Sequence, residues 1–147
     1  MKIFVSSLLL LFLFSLSVSA QTAKVSIEVT HIKYLAGTIK LGVFDKVHNY
    51  RTKSNPFLRA SQAVTDSVAN FVFDDVPLGR YAIATYHDEN GDDTLNTKKL
   101  GIPIEGIGFS GKFNSRIKPP DFVLADFRLK SDTTISIKLI YNKKKKQ

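Results

Sequence analysis

The 147-residue chain contains no cysteine, no tryptophan and a single methionine. Without thiols it can form neither a disulfide nor a thiolate metal site. A folded domain here therefore rests on core packing, with a hard cation as the available supplement. No long amphipathic helical pattern runs through it, and beyond residue 20 no apolar run is long enough to cross a bilayer. Acids are in the minority, 13 against 21 basic residues, for a formal net charge of +8. Four of the lysines form the terminal run 143–146. Such a run reads first as a solvated end, and second as a handle for an anionic surface.

The first twenty residues, MKIFVSSLLLLFLFSLSVSA, combine a basic start at Lys2, an apolar stretch and the small exit Val18-Ser19-Ala20. That layout is the one of a cleaved secretory signal, with a retained membrane anchor as its rival. The expectation is a signal over 1–20, one domain over 21–142 and a basic tail over 143–147, with no transmembrane segment once the signal is gone. The protein is then periplasmic or secreted. Export removes nucleic acid as a partner and leaves a cell-surface protein or a glycan as the classes to consider.

Period-two alternation dominates the rest. In KVSIEVT, Val25, Ile27 and Val29 share one face, and in GTIKLGVFD so do Ile39, Leu41 and Val43. TTISIKLIY aligns Ile135, Ile137, Leu139 and Tyr141, and the shorter ADFRLKS precedes it across Ser131-Asp132, which predicts a hairpin. SVANFVFDDV leads into the turn Asp75 to Gly79, with Pro77 fixing its own φ and Gly79 free to take a positive one. RYAIATY is apolar at nearly every position and reads as a central strand covered on both faces. Asn55-Pro56 predicts a short helix start. These elements give an all-β fold, an antiparallel β-sandwich of about seven strands, with a closed barrel as the alternative.

The central strand delivers the chain to HDENGDDTLNT, a cluster of acids in a basic protein. Counted from Asp88, oxygen-bearing side chains fall at positions 1 (Asp88), 3 (Asn90), 5 (Asp92) and 9 (Asn96), with the Thr94 carbonyl at position 7. Hard oxygens at this spacing suit calcium. Position 6 is Asp93 instead of glycine and position 12 is Lys99 instead of glutamate, so the loop is not an EF-hand. Glu105 is placed to close the site from the far side. The other reading is a hydrated turn whose side chains bond its own backbone.

Other motifs lose their chemistry on inspection. Gly106-Ile107-Gly108-Phe109-Ser110-Gly111 spells the dinucleotide fingerprint, but no helical pattern follows it to hold a pyrophosphate. Ser110 lacks a nucleophile elbow. His31, His48 and His87 have no metal-ligand spacing. The stretch Leu100 to Phe113 is instead a glycine-rich loop with apolar Ile104, Ile107, Phe109 and Phe113, and Glu105, Gly108, Phe109 and Ser110 are its candidate ligand-binding residues. A loop folded over the end of the sandwich, burying the same side chains, is the structural alternative.

Several of these segments together resemble an exported bacterial family catalogued as domain of unknown function 2141. The residues that carry the likeness are Gly37 to Asp45 (GTIKLGVFD), the turn and strand PLGRYAI, and HDENGDDTLNT followed by GIPIEGIGFS. The resemblance covers most of Gly37 to Tyr141 and implies an Ig-like or prealbumin-like sandwich, without implying a reaction or a substrate. The family commonly has glycine where this chain has Asp93, and aspartate where it has Asn96. The leading expectation is an exported noncatalytic binding or accessory module, calcium-stabilised through Asp88–Asn96. The alternatives are a carrier of a small apolar ligand and, further off, a hydrolase using His87. A deep apolar cavity favours the carrier, and a flat glycine-rich surface beside a metal favours the module.

Overall fold

In a computed structural model describing residues 21–112 and 118–142, every alternating segment noted above forms a strand. The signal-like stretch 1–20, Phe113 and the basic tail 143–147 lie outside the described residues. The strands are β1 (Thr22–Thr30), β2 (Thr38–Phe44), β3 (Leu58–Ala63), β4 (Ala69–Pro77), β5 (Gly79–Asp88), β6 (Ile107–Phe109), β7 (Asp126–Leu129) and β8 (Thr133–Lys138). Two short helices, α1 (Val47–Thr52) and α2 (Phe122–Ala125), complete the set. The strands form two sheets, β4-β1-β8 and β3-β2-β5-β6, with β7 also pairing β5. The fold is an all-β sandwich.

Alternation places one residue set of each strand between the sheets. Val25, Ile27 and Val29 from β1 meet Ile39, Leu41 and Val43 from β2, with Ile83 and Ile137, all in one buried cluster. Strand β5 pairs with β2 along Thr38–Phe44 on one side. On its other side β7 and β6 lie end to end, Gly79–Ala82 pairing β7 and Ala84–Tyr86 pairing β6. Ile83 falls between them, and Ser110 fills the gap. The Ile83 N–H donates to Ser110 Oγ at 2.7 Å, and the Ser110 N–H donates to the Ile83 carbonyl at 3.1 Å. The central position expected for RYAIATY is thus observed, with β5 covered on both faces.

Four local expectations are corrected. Strands β7 and β8 are not a hairpin: β7 joins the sheet of β5, whereas β8 runs parallel to β1 in the other sheet. Burial of one face does not specify the partner, and Ser131-Asp132 carries the chain from sheet to sheet. Asp132 Oδ1 anchors that crossing by accepting the Lys24 N–H at 2.9 Å. The sandwich is accordingly not wholly antiparallel. Asn55-Pro56 does not start a helix, because the helix lies earlier, at α1, and Leu58 already belongs to β3. Strand β3 was hidden because its inward residues include only Leu58, Ala60 and Gln62, a weak apolar signal. Finally, the positive φ in the Asp75–Gly79 turn belongs to Asp75 (55°) rather than to Gly79. This turn also changes sheets, and the Tyr81 hydroxyl secures it by donating to the Pro77 carbonyl at 2.8 Å.

A second buried cluster covers the outer face of the five-stranded sheet: Phe44, Tyr50, Ala82, Ile107, Phe109, Phe122 and Ala125. Tyr50 is its hub, edge-on to Phe44 at 5.7 Å, Phe122 at 5.6 Å and Phe109 at 6.3 Å. Such edge-to-face contacts add to area burial. One measurement checks the layering. Ile83→Ala, at 0 % exposure, is expected to cost about 2–5 kcal/mol in denaturant unfolding. Val72→Ala, at 56 % exposure on β4, is expected to stay within about 0.5 kcal/mol.

Candidate functional site

The acidic segment begins where β5 ends. Asp88 is fully buried, and an isolated carboxylate there would be costly unless its oxygens were engaged. Oδ1 accepts the N–H groups of Gly91 at 2.8 Å and Asp92 at 3.2 Å, and Oδ2 accepts that of Asp93 at 3.0 Å. Glu105, also buried, acts from the bend that precedes β6. Its Oε1 accepts the Glu89 N–H at 3.0 Å and its Oε2 the Asn96 N–H at 2.8 Å. Two buried carboxylates therefore hold five backbone N–H groups and set the curvature of the whole turn.

Asp92 organises the exposed side. Its Oδ2 accepts the amides of Asn90 and Asn96, each at 2.9 Å, while Oδ1 accepts both the N–H and the hydroxyl of Thr94. These bonds, the one from Asn96 foremost, hold the Asp92 carboxyl well below the usual carboxylate range. Asp93 occupies the left-handed region at φ 61°, where the resemblance leads one to expect glycine. Its carboxylate pairs with Lys40, and its carbonyl accepts the Tyr86 hydroxyl at 3.0 Å. Asp88, Asn90, Asp92, Thr94 and Asn96 share one hydrogen-bonded turn, in which side-chain oxygens of Asp88, Asn90 and Asp92 accept from donors of the loop itself. Among the described residues no three His, Asp or Glu side chains are grouped as metal ligands.

Gly37 fixes the approach of β2 to this turn. It has φ 78°, and a Cβ there would lie 2.1 Å from the Asp88 carbonyl oxygen, so no side chain fits. The segment after Asn96 doubles back on itself, with Lys98 N–H donating to the Ile102 carbonyl and Ile104 N–H to the Asn96 carbonyl. Its tip exposes Leu100 at 95 %.

His87 lies beside Asp88 but faces the core. The Ala36 carbonyl, 2.6 Å from Nε2, can only accept, so Nε2 carries the proton, and Nδ1 accepts the Tyr141 hydroxyl at 2.8 Å. Burial pushes the Tyr141 phenol up to about 12, which suits a donor that keeps its proton. With its ring buried and both nitrogens engaged, His87 joins β5 to the end of the chain and offers no free base. Gly106 explains part of the glycine pattern: a Cβ there would lie 2.5 Å from the Tyr141 ring. Gly108 packs under Ile137 and Thr85, and Ser110 closes the β6–β7 gap. The G-x-G-x-x-G spelling therefore arises from close packing.

Of the ligand-binding candidates, Phe109 lines a groove. It measures about 880 Å³ and lies on the outer face of the five-stranded sheet, within the range of small-molecule sites. Its floor follows the strand register. One row runs Arg59, Gly42, Ala84, Phe109, and the next Ser61, Lys40, Tyr86, Ile107. Gly42 and Ala84 are the smallest residues of the first row; Phe44 and Pro56 close in over Gly42, within 3.3 Å of where a Cβ would stand, and the depression opens beside them. Phe44, Pro56 and Lys53 line one side; Asp93, Leu95 and Pro103 line the other. The acidic turn is thus a wall of the groove, tied to its floor through Lys40 and Tyr86.

Lys53 is unusual on its side of the groove. It follows α1 in a left-handed conformation, φ 52°, and donates to the Tyr50 carbonyl. Its ammonium sits 3.8 Å from the Tyr50 ring centroid and 5.5 Å from that of Phe109. The residue keeps solvent contact, yet the ammonium is tucked against the rings, and this local burial lowers it to about 8. Gly42, Lys53, Arg59, Ala84 and Tyr86 were missed as site residues. The available signal was the outward set of β2, where Lys40 is followed by Gly42 and Phe44 instead of further polar residues.

Two packed sheets, the five-stranded one carrying an apolar groove beside a hydrogen-bonded acidic turn, place the protein among all-β sandwiches. The chain belongs to the bacterial family described as "Uncharacterized protein conserved in bacteria" (DUF2141), whose model matches residues 27–137. No curated protein and no solved structure matches it.

The turn supplies its own test. Asp88→Asn replaces an oxygen facing N–H donors by an amide nitrogen, and Glu105→Gln does the same on the other side. Each is expected to destabilise by about 1–3 kcal/mol in chemical denaturation. Asn90→Ala, on an exposed side chain, is expected to cost under about 1 kcal/mol.

Proposed function

We propose that the chain acts, after export, as a noncatalytic binding module whose ligand is small, largely apolar and seated in the groove beside Gly42 and Ala84. The observation that carries this reading is the groove itself: about 880 Å³, floored by small side chains and lined by Phe44, Phe109, Tyr86 and Leu95. Pockets of this size with few polar groups are the usual form of small-molecule sites. Between the expected alternatives, a recessed apolar space supports the carrier over a flat contact surface. His87, with both nitrogens engaged, lends no support to hydrolysis. Among the described residues no helix is long and apolar enough to cross a membrane.

The reading is tested with N-phenyl-1-naphthylamine, a neutral dye that brightens in apolar surroundings. Wild-type protein is expected to bind it saturably, at one site. Ala84→Phe, which fills the floor, is expected to abolish that binding while leaving the melting temperature within a few degrees. Binding that survives Ala84→Phe would move the ligand elsewhere, and no binding by the wild type would remove the proposal.

For the Asp88–Asn96 turn we propose a structural role, holding the groove wall through the chain's own N–H donors. The calcium expected from its spacing is tested by melting the protein in millimolar calcium and in chelator. An unchanged melting temperature is the expected result. A rise with calcium that Asp88→Ala abolishes would establish the ion instead.

A further inference from the structure

The groove is lined by three cations, Lys40, Lys53 and Arg59, and one carboxylate, Asp93. Asp93 is committed to Lys40. Among the described residues neither Lys53 nor Arg59 has a carboxylate within ion-pair distance; the ion pairs are Lys24–Asp74, Lys40–Asp93 and Arg80–Asp126. Two positive charges therefore border an apolar trough without a counter-ion. Arg59 stands at the end of the row that continues through Gly42, Ala84 and Phe109. Lys53 leans over the aromatic wall, against Tyr50 and Phe109.

An ammonium placed against ring faces at the side of an apolar space is only partly hydrated. Attraction to an anion there is stronger than at an open surface, because the local dielectric is lower. A neutral apolar ligand would leave both charges uncompensated, and a cationic one would be repelled. The chemistry that satisfies floor and rim together is an apolar chain ending in an anion.

We propose that the groove takes a single-chain amphipathic carboxylate, its chain lying beside Gly42 and Ala84 between Phe109 and Tyr86, and its carboxylate drawn to Lys53 with Arg59 as the second positive charge. This rests on the groove reading above and names the class of ligand for it. The chain fits a trough that crosses the strands, with the head group at Lys53 beside Phe109 and Arg59 adding positive charge from the other end of the row; among the described residues neither cation has an acidic partner.

The experiment uses the full chain loaded with N-phenyl-1-naphthylamine and displaces the dye with two detergents of equal tail length. One is dodecanoate and the other dodecyltrimethylammonium, each below its micelle concentration. Dodecanoate is expected to displace the dye at a concentration about tenfold or more below that of the cation, the scale of one charge-assisted bond. Lys53→Gln is expected to weaken dodecanoate by about tenfold more than it weakens the dye. Arg59→Gln, on an exposed side chain, is expected to shift dodecanoate in the same direction and so guards against a folding effect at Lys53. Equal displacement by both detergents, or dodecanoate binding indifferent to both substitutions, would overturn the carboxylate while leaving the groove in place. Failure of the wild type to bind the dye or dodecanoate would overturn the groove and the carboxylate together.

Discussion

Strand β5 has to bury two faces at once, and this requirement organises the molecule. Toward the other sheet it presents Tyr81, Ile83, Thr85 and His87; outward it presents Ala82, Ala84 and Tyr86. The inward set is covered by β1 and β8 as a matter of sandwich packing. The outward set needs a second cover, which α1, α2 and the long excursion after Asp88 supply. That cover is incomplete over Ala84, and the gap is the groove. Small residues on the outer face thus do two things: they allow Tyr50 and Phe44 to pack close, and they leave space beside them.

The acidic turn follows from the same burial. A strand running to its last residue under cover delivers Asp88 to a fully buried position, where an unpaired carboxylate would be strongly unfavourable. Folding the next residues back so that their N–H groups face Asp88 satisfies it, and Glu105 repeats the device from the other end. The result is a wall whose shape is set by hydrogen bonds rather than by apolar packing, in keeping with the exposed side chains from Gly91 to Leu95. The Lys40–Asp93 pair adds little stability by itself, since exposed ion pairs are worth roughly 0–1 kcal/mol. Its effect is positional, joining the turn to the floor.

The electrostatics of the groove are asymmetric for a related reason. The acids that would neutralise its rim are drawn inward to serve the backbone, leaving Lys53 and Arg59 to face the open space. A basic chain that spends its carboxylates on its own amides keeps its positive charge for whatever approaches from outside. This is a different use of charge from that implied by the terminal lysine run, which lies outside the described residues.

Much of the sandwich was legible because alternation is a local property: Val25, Ile27 and Val29 share a face in any register. The site was legible only in part. Asp88, Asn90, Asp92, Thr94, Asn96 and Glu105 were identifiable as a cooperating set, since their spacing reflects contacts within one loop. The groove residues Gly42, Arg59, Ala84 and Phe109 come from four strands, and nothing local joins them. Ser110 was a ligand-binding candidate, whereas it fills the break between β6 and β7.

By itself the sequence determined which residues face inward, which strand is central and where the carboxylates gather, because each depends on neighbours a few positions apart. The tertiary structure alone decided that β8 lies parallel to β1, that β7 pairs with β5, and that a glycine and an alanine become paired neighbours on an open floor. Those outcomes depend on which strands hydrogen-bond to which, a choice made by the whole chain as it buries both faces of β5.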